Sequence, residues 1–312
     1  MSVAAPSPVG RAAAMLGSLA KRQVPIGPLT TYRVGGPAAL FVRVERDEDL
    51  AAVGAAVRET GIDVLVVGKG SNLLVADAGF DGLALVLGEH FAAIEIVGTT
   101  VRAGGSAALP VVARRTAAAG LTGFEWAVGV PGSIGGAVRM NAGGHGSDMA
   151  ASLRRVRVLD LRTGEDHEVP AATLGLQYRR SAVRAQDLVL RADLELAAGD
   201  RATAEATIAD IVRWRREHQP GGPNAGSVFT NPPGDSAGRL IDAAGCKGLR
   251  LGTAIISPKH ANFIQADDGG RADDVVALMR EVRRRVLEHS GVSLHPETRM
   301  VGFGPTALDD GR

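Results

Sequence analysis

The sequence predicts a two-domain protein of the α+β class. Its 312 residues correspond to about two domains at roughly 100–200 residues each. Strand-like and helix-like segments follow one another without the strict strand–helix–strand rhythm of a doubly wound sheet. Glycine supplies 41 of the 312 residues, and these glycines cluster in short runs between apolar segments. Such runs indicate tight turns, or backbone that approaches a ligand closely.

The first half of the chain reads as strands separated by two helices. Residues 1–25 form a helical or loose leader. Residues 47–60 predict a helix because Leu50, Val53 and Val57 share one face and Gly61 follows them. A second helix is expected at Ser106–Ala119. Apolar runs and alternating patterns predict the strands: Ala38–Val44, Asp63–Val67, the LLVAD and LALVLG segments, Ile94–Val97, Thr100–Ala103, Val156–Leu161 with a partner after the Thr163-Gly164 turn, and Leu188–Leu196.

The second half is richer in helix. An amphipathic helix is expected over residues 201–219, before the breaker cluster Gln219–Gly226. Shorter elements follow, a helix at Ser236–Ala244 and a strand near Leu249–Ser257. Apolar residues spaced by three and four predict a long helix at Ala272–Ser290, which Gly291 ends, and the last strand lies near Val292–Phe303.

Composition excludes several classes of protein. The net charge is +1, so no overall field attracts nucleic acid or an acidic membrane. The lone Cys246 excludes an internal disulfide framework and a multi-cysteine metal site, and the seven histidines show no metal-ligand spacing. The N-terminal residues lack the apolar core of a signal peptide, and no apolar stretch of 18 residues escapes a charge. We therefore expect a cytoplasmic protein without a membrane span, as a monomer or weak dimer.

Two glycine-rich segments are candidates for ligand binding. GKGSN, Gly68–Asn72, follows a predicted buried strand, so its backbone N–H groups can face a phosphate. It matches neither the Rossmann fingerprint nor the Walker A loop, and a tight hairpin that needs glycine explains it equally well. GVPGSIGG, Gly129–Gly136, belongs to an uncharged run too long for an ordinary loop. Either a large ligand or neighbouring strands of an interdomain crossover would satisfy its backbone.

Three polar residues are candidates for chemistry. Arg179 in QYRRS is able to brace an anionic oxygen, although a solvated arginine is the simpler interpretation. Ser227 in NAGSVFTNP has no GxSxG context, so it suits proton donation better than acyl transfer, and a turn serine is the plain alternative. Glu297 in HPETR lies among apolar neighbours, where a carboxylate either faces outward or has a functional, shifted pKa.

Taken together, these segments resemble one family, the UDP-N-acetylenolpyruvoylglucosamine reductases (UDP-N-acetylmuramate dehydrogenases). The resemblance covers about residues 25–305 and keeps the family's order and approximate spacing. Seven segments carry it: Thr30–Ala38, Gly68–Gly82, Gly120–Gly144, Tyr178–Ser181, Asn224–Pro232, Ile241–Ile264 and His295–Phe303.

The resemblance implies an FAD-binding fold of the vanillyl-alcohol-oxidase (PCMH) type, with a smaller C-terminal α+β substrate domain. The FAD domain would span residues 1–200, in subdomains of about 25–90 and 91–200. Residues 201–312 would form the substrate domain, whose last strand returns to the FAD domain. FAD would be bound without a covalent link. The implied cofactor-binding residues are Gly68, Lys69, Gly70, Ser71, Asn72, Leu73, Gly129, Pro131, Gly132, Ser133, Gly135, Gly136 and Asn141.

The implied reaction belongs to peptidoglycan synthesis, and hence to cell-wall biogenesis, cell shape and cell division. NADPH reduces FAD, which then delivers hydride to the enolpyruvyl double bond of UDP-N-acetylglucosamine enolpyruvate. Ser227 matches the family's proton donor, Arg179 the arginine that stabilises the enolate, and Glu297 the glutamate that assists there. These residue types suit charge that develops beside a flavin, because fixed donors stabilise an oxyanion and a hydroxyl needs no ionic desolvation.

The chain departs from the family pattern at several positions. His218 and Thr230 stand where the family often has lysine, and Arg139 and His145 where aromatic residues are common. With two tyrosines, the chain resembles the shorter subtype, which lacks an extra tyrosine-bearing loop. Two alternatives remain, another flavin oxidoreductase with a different substrate and a flavin-binding paralogue without catalysis.

Overall fold

The described residues, 7–308 of a computed structural model, pack into two compact units. The first unit contains residues 7–22, 39–69 and 81–215, and the second contains residues 23–38, 70–80 and 216–308. The first six residues of the predicted leader and the last four of the predicted substrate domain lie outside the described residues. Each unit is assembled from three separate segments of the chain. The sequence instead predicted two continuous domains that meet near residue 200. That boundary stays a prediction.

Seven α-helices occur in the described part of the chain: α1 Pro8–Leu16, α2 Asp47–Thr60, α3 Leu109–Ala118, α4 Ile134–Met140, α5 Arg201–His218, α6 Ala237–Ala243 and α7 Ala272–Ser290. The strands are mostly short: β1 Lys21–Pro25, β2 Pro37–Val44, β3 Val64–Val66, β4 Leu73–Val75, β5 Phe80–Leu87, β6 Ile94–Val97, β7 Thr100–Gly104, β8 Leu121–Thr122, β9 Gly143–Gly144, β10 Ser147–Asp148, β11 Leu153–Asp160, β12 Asp166–Pro170, β13 Asp187–Glu195, β14 Ala197–Ala198, β15 Arg250–Leu251, β16 Ala254–Ile256, β17 Ile264–Ala266 and β18 Arg299–Val301.

The first unit is built on two sheets. One has the strand order β1-β2-β5-β3, and β3 runs parallel to β5. Helix α2 buries Leu50, Val53 and Val57 in the core beside this sheet. The other sheet is antiparallel in the order β12-β11-β13-β7-β6. A second core, shared by this sheet and helices α3, α4 and α5, fixes the segments that precede and follow α4.

The second unit has its own core, centred on α7. Strands β15, β16 and β17 form an antiparallel sheet, against which α7 buries Val275, Leu278 and Met279. Strand β18 pairs in parallel with β4, so the last strand joins a segment from the N-terminal third of the chain. Asp77, just beyond β4, accepts hydrogen bonds at 2.9 and 3.1 Å from the first two backbone N–H groups of α7. The segment that follows GKGSN is thereby held in the second unit.

All five predicted helices are confirmed, and α2 and α7 have the predicted bounds. Two strand predictions were wrong in detail. The strand expected near Leu249–Ser257 is the hairpin β15–β16, because Gly252 adopts a φ of +54° and reverses the chain. The strand expected near Val292–Phe303 is confined to β18. No helix within residues 7–308 is long and apolar enough to cross a membrane.

Candidate active site

The GKGSN turn connects β3 to β4, and its third residue needs glycine for steric reasons. Gly70 has a φ of +62°, and a Cβ placed on it would lie 2.2 Å from the carbonyl oxygen of Leu29. The Gly70 carbonyl also accepts a hydrogen bond from the N–H of Thr31 at 3.2 Å. Strand β3 pairs with β5 and β4 with β18, so the tight hairpin was wrong, and the close approach of Leu29 is what requires glycine at position 70. Ser71 and Asn72 are half-buried beyond it, and Leu73 is buried where β4 pairs with β18.

Gly68 and Lys69 belong to the first unit and are exposed. A Cβ on Gly68 would lie 2.5 Å from the Oγ of Ser133. The two glycine-rich segments singled out in the sequence are thus adjacent in space within this unit. Neither Gly68 nor the exposed Gly136 carries a side chain that would cover the backbone there.

Much of the backbone of the GVPGSIGG segment is hydrogen-bonded to residues 105–109. The N–H of Gly135 donates to the carbonyl of Gly105 at 2.9 Å, and the carbonyl of Gly132 accepts from the N–H of Leu109 at 3.0 Å. Ser133, buried at 2% exposure, caps α4 by accepting from the N–H of Gly136 at 3.3 Å. The loop at residues 105–109 of the same unit therefore satisfies the backbone of residues 132–135, so neither a ligand nor the strands of an interdomain crossover are needed there. Gly129 is buried against Arg215 and Ile211, and Pro131 is exposed beside this segment.

The chemistry of these residues fits the anionic pyrophosphate of FAD. The exposed backbone around Gly68 and Gly136 is uncovered because glycine occupies both positions. No carboxylate occurs in residues 126–147, and Lys69 adds an exposed cation. Exposed, uncharged backbone beside a positive charge suits an anionic ligand.

Asn141 and Arg179 are linked through the QYRRS turn. Gln177 and Arg180 exchange backbone hydrogen bonds at 2.9 and 3.0 Å, so Tyr178 and Arg179 occupy the tip of the turn. Arg179 has a φ of +57°, and its Nη1 donates to the carbonyl of Gly143 at 3.2 Å. The buried Asn141 amide donates to the carbonyl of Gln177 at 3.1 Å and to Asp148 at 3.0 Å. The geometry thus brings Asn141 to the base of the arginine turn, while its predicted contact with cofactor stays a prediction.

The second unit brings Ser227 and Glu297 onto neighbouring segments. Phe229 and Pro296 form an antiparallel bridge, and the N–H of Glu297 donates to the carbonyl of Val228 at 2.8 Å. Both Ser227 and Glu297 are half-buried. The side chain of Asn72 donates to the carbonyl of Glu297 at 3.1 Å, so the second half of GKGSN lies beside the same segment.

Partial desolvation shapes the electrostatics around Gly129, where Arg215 is half-buried and His145 is exposed. Desolvation lowers the pKa of Arg215. It also lowers the pKa of His145, and the positive charge of Arg215 lowers it further. The rings of His145 and Trp214 meet edge to face with centroids 5.1 Å apart. The local environment therefore favours neutral His145. Across residues 7–308, no group of three or more His, Cys, Asp or Glu side chains is placed to hold a metal ion.

The sequence reasoning passed over Asn262 and Asp77. Asn262, 3% exposed, pairs through its side chain with the backbone of Phe229, next to the segment of Ser227. Both residues lie inside segments quoted for the resemblance, and buried polar side chains of this kind must find partners. No local pattern identified those partners, since they are distant along the chain.

Two family models match parts of this chain. Residues 38–169 match the model of an FAD-binding domain family, and residues 217–301 match the C-terminal domain of UDP-N-acetylenolpyruvoylglucosamine reductase. The reductase of Heliobacterium modesticaldum is 43% identical over 93% of this chain and 93% of its own length. That of Paramagnetospirillum magneticum is 45% identical over 89% and 91%, respectively.

A solved structure supports the fold as well. The crystal structure of the reductase from Thermus caldophilus is similar with a TM-score of 0.79 and 37% identity, and it covers 90% of this chain and 98% of that chain. The predicted fold, family and FAD cofactor are confirmed, whereas the roles of individual site residues stay predictions. The chain belongs to the UDP-N-acetylenolpyruvoylglucosamine reductase family.

Proposed function

We propose that this protein reduces the enolpyruvyl group of UDP-N-acetylglucosamine enolpyruvate to UDP-N-acetylmuramate, with FAD and NADPH. The observation that carries the proposal is the placement of Ser227 and Glu297 on bridged segments of the second unit. A hydroxyl and a carboxylate are the groups that the reaction needs for proton transfer. No observation favours another flavin substrate or a paralogue without catalysis.

The chemistry that FAD supplies is hydride acceptance from NADPH and hydride donation to the enolpyruvyl double bond. The residues that we propose for holding the cofactor are Gly68, Lys69, Gly70, Ser71, Asn72, Leu73 and the segment Gly129–Gly136. We expect the binding to be non-covalent. The lone Cys246 is buried three residues beyond α6, outside the glycine-rich segments.

Ser227 would donate its proton to the carbanionic carbon that remains after hydride addition. Glu297, on the neighbouring segment, would assist the charge movement there. Arg179 would stabilise the enolate oxygen, since a guanidinium presents fixed donors where negative charge develops. Its left-handed backbone supports that role, because non-glycine residues held in this region tend to occur at functional sites.

The same proposal places the protein in peptidoglycan synthesis, and through it in cell shape and cell division. We also propose that the protein is cytoplasmic and that it is a monomer or weak dimer. The reaction consumes a UDP-sugar and NADPH, both soluble metabolites.

The proton-donor role is tested by comparing half-reactions in Ser227→Ala. We expect flavin reduction by NADPH to keep its rate, and turnover to fall by about 10²–10⁴ because a general acid is lost. Ser236→Ala is the matched control, since Ser236 only caps α6 through the N–H of Arg239 at 3.3 Å. Near-normal turnover in Ser227→Ala, measured beside that control, would contradict the assignment.

A further inference from the structure

We propose that Asn262 is a positioning residue that fixes the Ser227 hydroxyl for proton transfer. This inference rests on the proposed function and deepens it, because it assigns the control of the donor's geometry to a second residue. Asn262 itself does not touch the reacting atoms in this account. It acts through the backbone of Val228 and Phe229, which follow Ser227 directly.

The side-chain amide of Asn262 pairs with both backbone groups of Phe229. Its Nδ2 donates to the carbonyl of Phe229 at 2.8 Å, and its Oδ1 accepts from the N–H of Phe229 at 3.0 Å. The N–H of Val228 also donates to the backbone carbonyl of Asn262 at 3.0 Å. Three hydrogen bonds from one residue therefore fix the two residues after Ser227.

These three hydrogen bonds between Asn262 and residues Val228 and Phe229, here called the clamp, lie in a desolvated environment. Asn262 is 3% exposed, Phe229 1% and Val228 0%. Because water is excluded, each backbone group of Phe229 depends on Asn262, and leaving either of them without a partner is unfavourable. An amide is also the neutral side-chain group that presents a donor and an acceptor side by side, as the backbone of Phe229 requires.

The clamp also sets Ser227 against Glu297. On its other side, the carbonyl of Val228 accepts from the N–H of Glu297 at 2.8 Å and from that of Thr298 at 3.4 Å. Val228 is thus held between Asn262 and the glutamate segment. Moving Val228 would shift the serine relative to its partner, and a displacement of about 1 Å is enough to slow an oriented reaction about 10²-fold.

Asn262→Asp tests this role, because protonation of the new carboxyl should restore the hydrogen bond to the carbonyl of Phe229. An ionised carboxylate keeps the acceptor for the N–H of Phe229 but repels its carbonyl. A protonated carboxyl restores the donor in nearly the same shape. Burial raises the pKa of such a group, so its protonation is sought by lowering the pH from 8 to 5.5.

The reaction to follow is reoxidation of the dithionite-reduced, FAD-loaded protein by UDP-N-acetylglucosamine enolpyruvate without oxygen, between pH 8 and pH 5.5. Dithionite avoids the acid lability of NADPH. Burial and the positive charge of Lys247 lower the pKa of His260, whose Nδ1 accepts from the N–H of Asn262 at 3.2 Å. Rates are therefore expressed relative to the wild type at each pH, which corrects for groups that titrate alike in both proteins.

We expect Asn262→Asp to reoxidise about 10–10²-fold more slowly than the wild type at pH 8, and to recover most of that loss at pH 5.5. Flavin reduction by NADPH at pH 8 should be unchanged. In a Ser227→Ala background, Asn262→Asp should add little further loss and show no recovery, since residues that act through one group are not additive.

Asp274→Asn controls for destabilisation of the same unit. Asp274 accepts at 2.8 and 2.7 Å from the N–H and hydroxyl of Thr253, away from the clamp. This variant should lower the melting temperature without slowing reoxidation. If Asn262→Asp does not fold, Asn262→Ser takes its place for the half-reaction and double-variant comparisons.

Equal losses in both half-reactions, or a full further loss in the Ser227→Ala background, would overturn the positioning role. So would a pH-independent rate ratio for Asn262→Asp. A wild-type protein that is not reoxidised by the UDP-sugar would instead overturn the proposed function, so the two failures are distinguishable.

Discussion

Gly70→Ala tests whether the GKGSN turn depends on close backbone approach. The new Cβ would lie 2.2 Å from the carbonyl oxygen of Leu29 and 2.5 Å from the Cα of Thr30. Both are backbone atoms, so no side-chain rotation relieves the overlap. The substitution also imposes a left-handed backbone on alanine and weakens the hydrogen bond from the N–H of Thr31.

The size of the effect follows from these three contributions. A left-handed alanine costs about 1–2 kcal/mol, overpacking about 1–3 kcal/mol and one hydrogen bond about 1 kcal/mol, together about 3–6 kcal/mol. Native proteins are stable by only about 5–15 kcal/mol, so a large share of the stability would be lost. We also expect a lower flavin content, because the turn is a proposed part of the cofactor site.

The assay is urea unfolding with the flavin-to-protein ratio measured on the same samples. Gly234→Ala is the control, since Gly234 has a φ of +78° in the same unit and a Cβ added there would meet nothing within 4 Å. It should lose only about 1–2 kcal/mol. Equal losses in the two variants would refute the close-approach argument.

Two further predictions concern stability. Asp77→Ala should lower the free energy of unfolding by about 1–2 kcal/mol in urea titrations, because two N–H groups of α7 lose their acceptor. Asp77→Asn keeps an acceptor and should lose less stability. Equal losses in the two variants would contradict this argument. His145→Phe should slightly reduce the loss of stability on acidification. Partial desolvation and the charge of Arg215 hold the pKa of the exposed His145 below its unfolded value of about 6.5, so the wild type loses stability as the pH falls through that value. Urea titrations of both proteins between pH 7.5 and pH 5.5 check this, and parallel curves would contradict it.

Much of the secondary structure could be predicted because it depends on local patterns. Helices α2 and α7 carry a clear apolar face, and each ends where a glycine adopts a left-handed φ, Gly61 and Gly291. Helix α4 escaped prediction because glycines that disfavour helices occupy its first turn. Its start depends on the Ser133 cap and on hydrogen bonds to residues 105–107, which no local pattern reveals.

The residues of the candidate site could be predicted from the sequence, but their arrangement in space could not. The glycine runs indicated backbone near a ligand, but the steric need at Gly70 depends on Leu29, which is distant in sequence. The pairing of Asn262 with Phe229 spans 33 residues. The assignment of Arg179, Ser227 and Glu297 came from resemblance, since single polar residues in a pattern do not reveal which segments meet.

The most direct test of the central claim follows the flavin absorbance of the purified FAD-loaded protein in an anaerobic stopped-flow instrument. NADPH is added first, and UDP-N-acetylglucosamine enolpyruvate second. We predict bleaching of the flavin band by NADPH and then its recovery driven by the UDP-sugar, with UDP-N-acetylmuramate as product. Bleaching without recovery would contradict the proposed substrate, and a protein that takes up no FAD would contradict the cofactor site itself.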